Sequence, residues 1–186
     1  ISHEFKTPLN AIIGFSELLK ARSKNIDDFK YIENISQSSK HLHSLIEDIL
    51  DVSKYEVNKL ELNYSLFSTK DAITQTLSTL DEMCKEKDIE LSCTLTDVKI
   101  SADVKRFRQL IYNLVTNAIK FNKEKGKITI FTYVDKGQFF FEITDTGDGI
   151  RKDDYDKMFG FFSQVNKNQL KRQQGSGIGL ALCKVI

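Results

Sequence analysis

From residue 1 to residue 52 the apolar side chains return at gaps of three and four, and a chain written this way has few folds open to it. Ile1, Phe5, Pro8, Ile12, Phe15 and Leu19 make one such stripe, the pattern of an amphipathic helix rather than a strand. Leu9, Ile13 and Leu18 widen it beyond a two-stranded seam. Asn25, with Asp28 three residues on, is suited to cap a second helix. That helix carries Ile32, Ile35, Leu42, Ile46 and Ile49, with Leu45 and Val52 beside them. Two long helices joined by about five residues make an antiparallel hairpin. One hairpin cannot bury both wide faces, whereas two can, as a dimeric four-helix bundle.

The pattern changes near residue 57. "KLELNYSLF" alternates like a strand, and "STKDAITQTLSTLDEMCK" reads as one helix opened by Ser68 and Asp71 in capping-box spacing. "IELSCTL" reads as a strand, residues 103–121 as a helix, and "KITIFTYV" and "QFFFEIT" as two strands joined by a turn at Lys136-Gly137. The expectation is an α+β chain: a helical hairpin over 1–56, a linker and first strand over 57–65, and a helix-and-antiparallel-sheet domain over 66–186.

With 27 Lys and Arg against 26 Asp and Glu, the balance gives no reason to expect nucleic acid or an anionic membrane as partner. No apolar run approaches the roughly 18 residues that span a bilayer, and nothing in these residues is expected to act as a signal peptide. Cys84, Cys93 and Cys183 are odd in number and lack CxxC spacing, so reduced, buried thiols in a cytoplasmic setting are expected. The chain begins inside one helical pattern and stops inside another. It reads as an excised core, which leaves a membrane anchor elsewhere in a longer protein open.

With Ile1 and Phe5 buried, His3 falls at the most exposed heptad position, and Thr7 lies one turn on. Pro8, the only proline, removes the helical partner of the Glu4 carbonyl, so a bend just after the histidine is expected. An exposed imidazole stays largely neutral near pH 7 and is nucleophilic. Glu4 could hold one ring N–H and polarise the other nitrogen. His41 and His43 point roughly 200° apart on a helix, a poor metal site, and read as structural or solvated.

On the helix over 103–121, Arg106, Gln109, Asn113, Asn117 and Lys120 fill a polar stripe roughly 80° wide, apart from the apolar arc. Two amide oxygens one turn apart can ligate Mg²⁺, and Lys120 can meet phosphate oxygens. Asp145 ends a strand before "TGDGI", where Gly147 and Gly149 allow close backbone approach. "GSGIGLAL" opens a helix whose N–H groups can meet phosphate. It is neither a Walker A loop nor a dinucleotide fingerprint.

Taken together these segments resemble the sensor histidine kinases. "SHEFKTPLNAI" is similar to their H-box, "NLVTNAIKF" to the N-box, "DTGDGI" to the G1 box and "GSGIGLAL" to the G2 box of the ATP-binding fold they share with gyrase, Hsp90 and MutL. The resemblance implies a Bergerat-type α/β sandwich after the hairpin, truncated at its C-terminus. It implies that His3 accepts the γ-phosphoryl group of ATP, that Glu4 assists proton transfer, and that Thr7 places water in a reverse, phosphatase reaction. Asn113 and Asn117 would hold Mg²⁺ and phosphate. Lys120, Phe121, Gly147, Gly149, Ile150, Gly175, Ser176, Gly177, Gly179 and Leu180 would line the ATP site, and Asp145 would bond the adenine amino group. Implied partners are a second copy through residues 1–56 and a response-regulator receiver domain, separate or fused. Lys6 stands where arginine is commoner, Gly160-Phe161 replaces the usual Glu-Pro of the F-box in "MFGFFSQ", and Gln174 and Ser176 replace glycine and threonine. Residues 151–174 would form the lid, with six Lys and Arg against three Asp, a balance suited to closure on triphosphate.

Two rival readings remain. ATPases of the same fold carry a glutamate at the position of Asn113, where it serves as general base, and an amide cannot take that proton. A dimeric scaffold holding nucleotide only as a structural ligand would not require His3, Asn113, Asn117 and Asp145 together.

Overall fold

A computed structural model describes residues 2–22, 26–56, 61–155, 157–160 and 179–185. The chain divides into two compact units, Ile1–Leu60 and Glu61–Ile186.

The first unit is a hairpin of α1 (Ser2–Arg22) and α2 (Ile26–Glu56). Helix α1 runs unbroken through Pro8. The expected cap at Asn25 lies outside the described residues. Lys20 pairs with Glu33, and Lys40 with Glu17 at 2.9 Å, which fixes the antiparallel register. Among the described residues of the hairpin, Leu9 and Ser16 of α1 and Ile32, Ser36 and Ser39 of α2 are buried. The Ser16 hydroxyl donates to the Ile12 carbonyl at 2.7 Å. Among the described residues of the stripe, Ile12 is 46% exposed, Phe15 67%, Leu19 58%, Ile35 50% and Leu42 49%. His43 lies 3.6 Å from Glu47 one turn on; the side chain of His41 lies outside the described residues.

The second unit contains β1 (Ser65–Ser68), α3 (Thr69–Ser78), α4 (Asp81–Glu86), β2 (Glu90–Thr94), β3 (Lys99–Ala102), α5 (Val104–Lys120), β4 (Lys127–Asp135), β5 (Gln138–Asp145), a 3-10 turn (Lys152–Asp154) and α6 (Gly179–Val185). The strands order as β1-β3 and β2-β4-β5. β4 and β5 are antiparallel, as are β1 and β3, but β2 runs parallel to β4. The expected antiparallel sheet is therefore mixed, because the whole of β3 and α5 intervenes between β2 and β4 as a crossover.

Other details depart from the sequence reading. Among the described residues of the stretch read as a strand from Lys59, pairing covers only Ser65–Ser68; the N–H of Asn63 goes instead to the Asp103 carboxylate at 3.0 Å. The helix read through residues 68–85 breaks at Thr79 and Leu80. Ser78 and Thr79 spend their hydroxyls on the carbonyls of Gln75 and Thr76, at 2.8 and 2.7 Å, which competes with helix continuation and turns Leu80 fully into the core. Strand β3 escaped the sequence reading because only Ile100 in "KISA" carries a large apolar side chain. Cys84 is buried, Cys183 is intermediate and Cys93 is exposed, a correction to the expectation for Cys93, and all three are free thiols.

Ser68 caps α3 as expected, accepting from the Asp71 N–H at 3.1 Å. Asp103 caps α5, accepting from Lys105 and Arg106 at 2.9 and 3.1 Å. These bonds hold the Asp103 carboxyl below its ordinary range, the Asn63 N–H contributing most. The core is Ile73, Leu77, Leu80 and Cys84 from the α3–α4 side, Ile89, Ile111, Val115, Ala118 and Ile119 around α5, and Ile128 and Ile130 from β4. Ile111, Val115 and Ile119 recur every four residues along α5 and are essentially fully buried. At ~1.5–3 kcal/mol each, they contribute about 5–9 kcal/mol, well above the ~1 kcal/mol of a typical hydrogen bond. The apolar face thus fixes α5, and the opposite face is free to carry chemistry. Among the described residues no helix is long and apolar enough to cross a membrane.

Candidate functional site

Asn113 and Asn117 each sit two positions after a fully buried residue of α5, roughly 200° around the helix, so core packing aims both away from the core. Arg106, Gln109, Asn113, Asn117 and Lys120 are all half-buried, neither core nor fully solvated surface. Arg106 donates to the side chain of Gln109 at 2.8 Å. The Asn113 amide nitrogen donates to the Gly179 carbonyl at 3.4 Å, and that orientation leaves its carbonyl oxygen as the acceptor of the pair. The Lys120 ammonium lies 5.4 Å from the centroid of the Phe121 ring. Burial, and then the nearby charge of Lys87, push the Lys120 pKa down.

The loop after β5 is built against the end of α5. Asp145 is exposed, and one of its carboxylate oxygens accepts from the Gly147 N–H at 2.8 Å. A Cβ on Gly147 would collide with the Phe121 carbonyl oxygen and stand 2.9 Å from the Asp145 carboxylate, so no other residue fits there. The Asp148 N–H reaches the same Phe121 carbonyl at 3.4 Å. Gly149 adopts a left-handed φ of 67°, for which glycine is suited, and Ile150 beyond it is 39% exposed. The carboxylate of Asp145 is thus one short loop from the C-terminus of the helix that carries the two amides.

Sequence reasoning missed two residues that make this joint. Asn122 is buried. Its amide nitrogen donates to the Lys127 carbonyl at 3.2 Å, and its oxygen accepts from the Lys123 N–H and the Thr146 hydroxyl, both at 3.1 Å. The Thr146 oxygen in turn accepts from the Lys127 N–H at 2.9 Å. The available signal was position: Asn122 directly follows the helix, and Thr146 lies between Asp145 and Gly147.

Helix α6 packs on α5. Ala181 is buried, Gly179 and Leu180 are half-buried, and the Cys183 sulfur lies 4.0 Å from the Leu110 carbonyl. Burial pushes the Cys183 thiol up to about 11, with an opposing hydrogen bond from Asn113. Gly175, Ser176 and Gly177 lie outside the described residues, as does the lid from residue 161. His3, Glu4 and Thr7 lie in α1, with His3 and Thr7 one turn apart; their side chains lie outside the described residues.

The second unit therefore brings together an amide-and-ammonium face, an exposed carboxylate and a loop in which Gly147 is sterically required. No group of three or more His, Cys, Asp and Glu among the described residues could hold a metal. The side-chain amides of Asn113 and Asn117, one turn apart, offer hard oxygen donors of the kind a partly hydrated cation such as Mg²⁺ takes.

Comparison with known proteins bears on both units. Residues 1–58 match the family model of the His Kinase A (phospho-acceptor) domain. Residues 102–186 match that of the histidine kinase-, DNA gyrase B-, and HSP90-like ATPase. An uncharacterized sensor-like histidine kinase of Rhizobium meliloti is 34% identical over 190 residues, covering 99% of this chain and 36% of that protein. The circadian input-output histidine kinase CikA of Synechococcus elongatus is 36% identical over 192 residues, covering 99% of this chain and 25% of that protein. The crystal structure of full-length ShkA in complex with AMPPNP superposes with a TM-score of 0.79 at 29% identity, over 99% of this chain and 38% of that one. The chain thus spans about a quarter to two-fifths of the length of these relatives.

Proposed function

The chain belongs to the histidine kinases, and we propose that it binds ATP in its second unit, phosphorylates His3 in its first, and passes the phosphoryl group to an aspartate of a response-regulator receiver domain. The observation that carries this reading is the joint between α5 and the Asp145 loop, which sets an amide-and-ammonium face beside a base-reading carboxylate. The ATP-analogue complex named for ShkA supports nucleotide as the ligand.

In the transfer, a neutral imidazole nitrogen of His3 attacks the γ-phosphorus. The bond to the β–γ bridging oxygen breaks and ADP leaves. An N–P bond forms and Glu4 takes the proton of the other ring nitrogen, so the product has a neutral ring and an anionic phosphoryl group. Such transfer is positioning plus charge stabilisation. Asn113 and Asn117 would hold Mg²⁺, which supplies charge neutralisation at the phosphates when bound. Lys120 faces the phosphates, and Asp145 accepts from the adenine amino group. Asn113 has no basicity with which to activate water, which favours transfer to histidine over the hydrolysis of the related ATPases. Thr7 would position water when the flow reverses and a phosphorylated partner is hydrolysed.

The first unit would pair with a second copy. Ile12, Phe15, Leu18, Leu19, Ile35 and Leu42 are each 46–67% exposed in the single hairpin, and a partner hairpin buries that face as a four-helix bundle. This part of the protein would work in the cytoplasm, where ATP is available.

Two substitutions test the nucleotide assignment. Asp145→Asn changes one acceptor into a mixed donor and acceptor, and calorimetry should find ATP binding weaker by roughly 1–3 kcal/mol with the fold intact. Asn117→Ala should abolish labelling by ATP while the protein stays folded. Wild-type affinity in the first variant, or undiminished labelling in the second, would remove those residues from the site.

A further inference from the structure

We propose that Lys87, in the turn between α4 and β2, is a positioning residue for the phosphate side of the nucleotide site: its ammonium clamps the last carbonyls of α5 and so sets where Lys120 stands. The inference rests on the nucleotide-binding reading above and adds to it a residue outside every motif that carries that reading.

The Lys87 ammonium donates to the Ile119 carbonyl at 3.1 Å and to the Lys120 carbonyl at 2.7 Å. Both carbonyls belong to the final turn of a helix, where the usual intrahelical partner is missing; the Ile119 carbonyl also accepts from the Asn122 N–H at 3.3 Å, so the Lys120 carbonyl depends more on the ammonium. A cation at the negative end of a helix is favourable, and bonds from a charged donor are stronger than neutral ones. Lys87 is itself held in place. It ends α4, and its carbonyl accepts from the Lys125 N–H at 3.1 Å. Backbone bonds continue the attachment, with the Glu90 N–H reaching the Gly126 carbonyl at 3.0 Å. A lysine commonly lays its stem along the surface and keeps its ammonium in water; here the ammonium reaches two carbonyls of another element instead.

What the clamp holds is the phosphate side of the site. Lys120 is the residue whose carbonyl receives the shorter bond, and its ammonium is near enough to Lys87 for the two charges to repel. Holding two ammonium groups close is unfavourable until an anion arrives, and a polyphosphate supplies one. The adenine side has its own attachment. The Phe121 carbonyl is taken by the Asp148 N–H, and Asp145 is braced by Gly147. Loss of the Lys87 ammonium should therefore be felt by phosphate more than by base.

The test compares ATP and adenosine binding by calorimetry in the full protein, with Mg²⁺ present, for the unaltered chain and for Lys87→Met, Lys87→Gln and Lys87→Arg. The expected result is ATP binding about ten-fold weaker in the methionine variant, equivalent to ~1.4 kcal/mol, with adenosine affinity within about two-fold of the unaltered protein. Arginine, whose guanidinium can also reach two carbonyls, should restore most of the ATP affinity. Glutamine keeps a donor without charge and preserves the fold if methionine is not tolerated; it should lie on the weak-binding side. Equal losses for ATP and adenosine would mean a merely structural role and overturn the proposal. So would unchanged ATP affinity in the glutamine variant, or no recovery with arginine. Failure of the unaltered protein to bind ATP at all would overturn the nucleotide-binding reading and this inference together, an outcome distinct from the others.

Discussion

The hydroxyl of Thr146 donates to the side-chain oxygen of Asn122 at 3.1 Å, tying the loop after β5 to the end of α5. The same two residues take both backbone groups of Lys127, its N–H and its carbonyl. One small network thereby locks helix, loop and the start of β4 to each other. Replacing the hydroxyl by a methyl group keeps the volume of the side chain but leaves the Lys127 N–H and the buried Asn122 oxygen each short of a partner.

Thr146→Val should accordingly destabilise the second unit by roughly 1–3 kcal/mol and weaken ATP binding as the loop loosens. Urea denaturation followed by circular dichroism measures the first effect and calorimetry the second. An unchanged midpoint would mean that the network is incidental.

The two glycines of the loop should behave differently on substitution. Gly147→Ala forces a methyl group onto the Phe121 carbonyl and the Asp145 carboxylate, so the loop must shift and ATP binding should be lost. At Gly149 nothing lies within 4 Å of an added Cβ; only the positive φ is penalised, at about 1 kcal/mol. Gly149→Ala should keep most of its affinity. Comparable binding by the two variants would contradict the close approach at Gly147.

Cys183 gives a pH signature for the packing of α6 on α5. Burial raises its pKa from 9.0 to about 11. Below pH 9 the thiol is protonated in both folded and unfolded chains and contributes no pH dependence. As pH rises from 9 toward 11 the unfolded chain releases its proton first, so stability should fall across that window and level off above it. Denaturation midpoints between pH 8 and 11 should show a steeper decline for the unaltered protein than for Cys183→Ala. Parallel curves would mean that the thiol is solvated.

The two hairpin helices and α5 were legible because each rests on local periodicity. The three- and four-residue recurrence around Leu9 and Ile32 specifies helices, and the alternation of Ile128, Ile130 and Thr132 specifies a strand buried on one face. The α5 face was legible for the same reason, since Asn113 and Asn117 lie one turn apart and roughly 200° around the helix from Ile111 and Val115. What the sequence withheld depends on partners distant in the chain. The parallel pairing of β2 with β4 requires knowing the crossover. Which apolar residues of the hairpin are buried, as Leu9 and Ile32 are, and which stay exposed, as Phe15 and Leu19 do, depends on how the two helices pack. Lys87 and Asn122 carry no motif; their bonds to Ile119, Lys120 and Thr146 exist only after the fold has formed.

The most direct test is transfer itself. The full protein, incubated with γ-labelled ATP and Mg²⁺, should acquire label that is stable in base and lost in acid, as a phosphoramidate is, and peptide mapping should place it on His3. The His3→Gln variant should bind ATP with unchanged affinity and take up no label, because the nucleotide site lies in a different unit from the acceptor. Undiminished labelling of His3→Gln, or release of free phosphate by the unaltered protein with no label retained, would contradict the account.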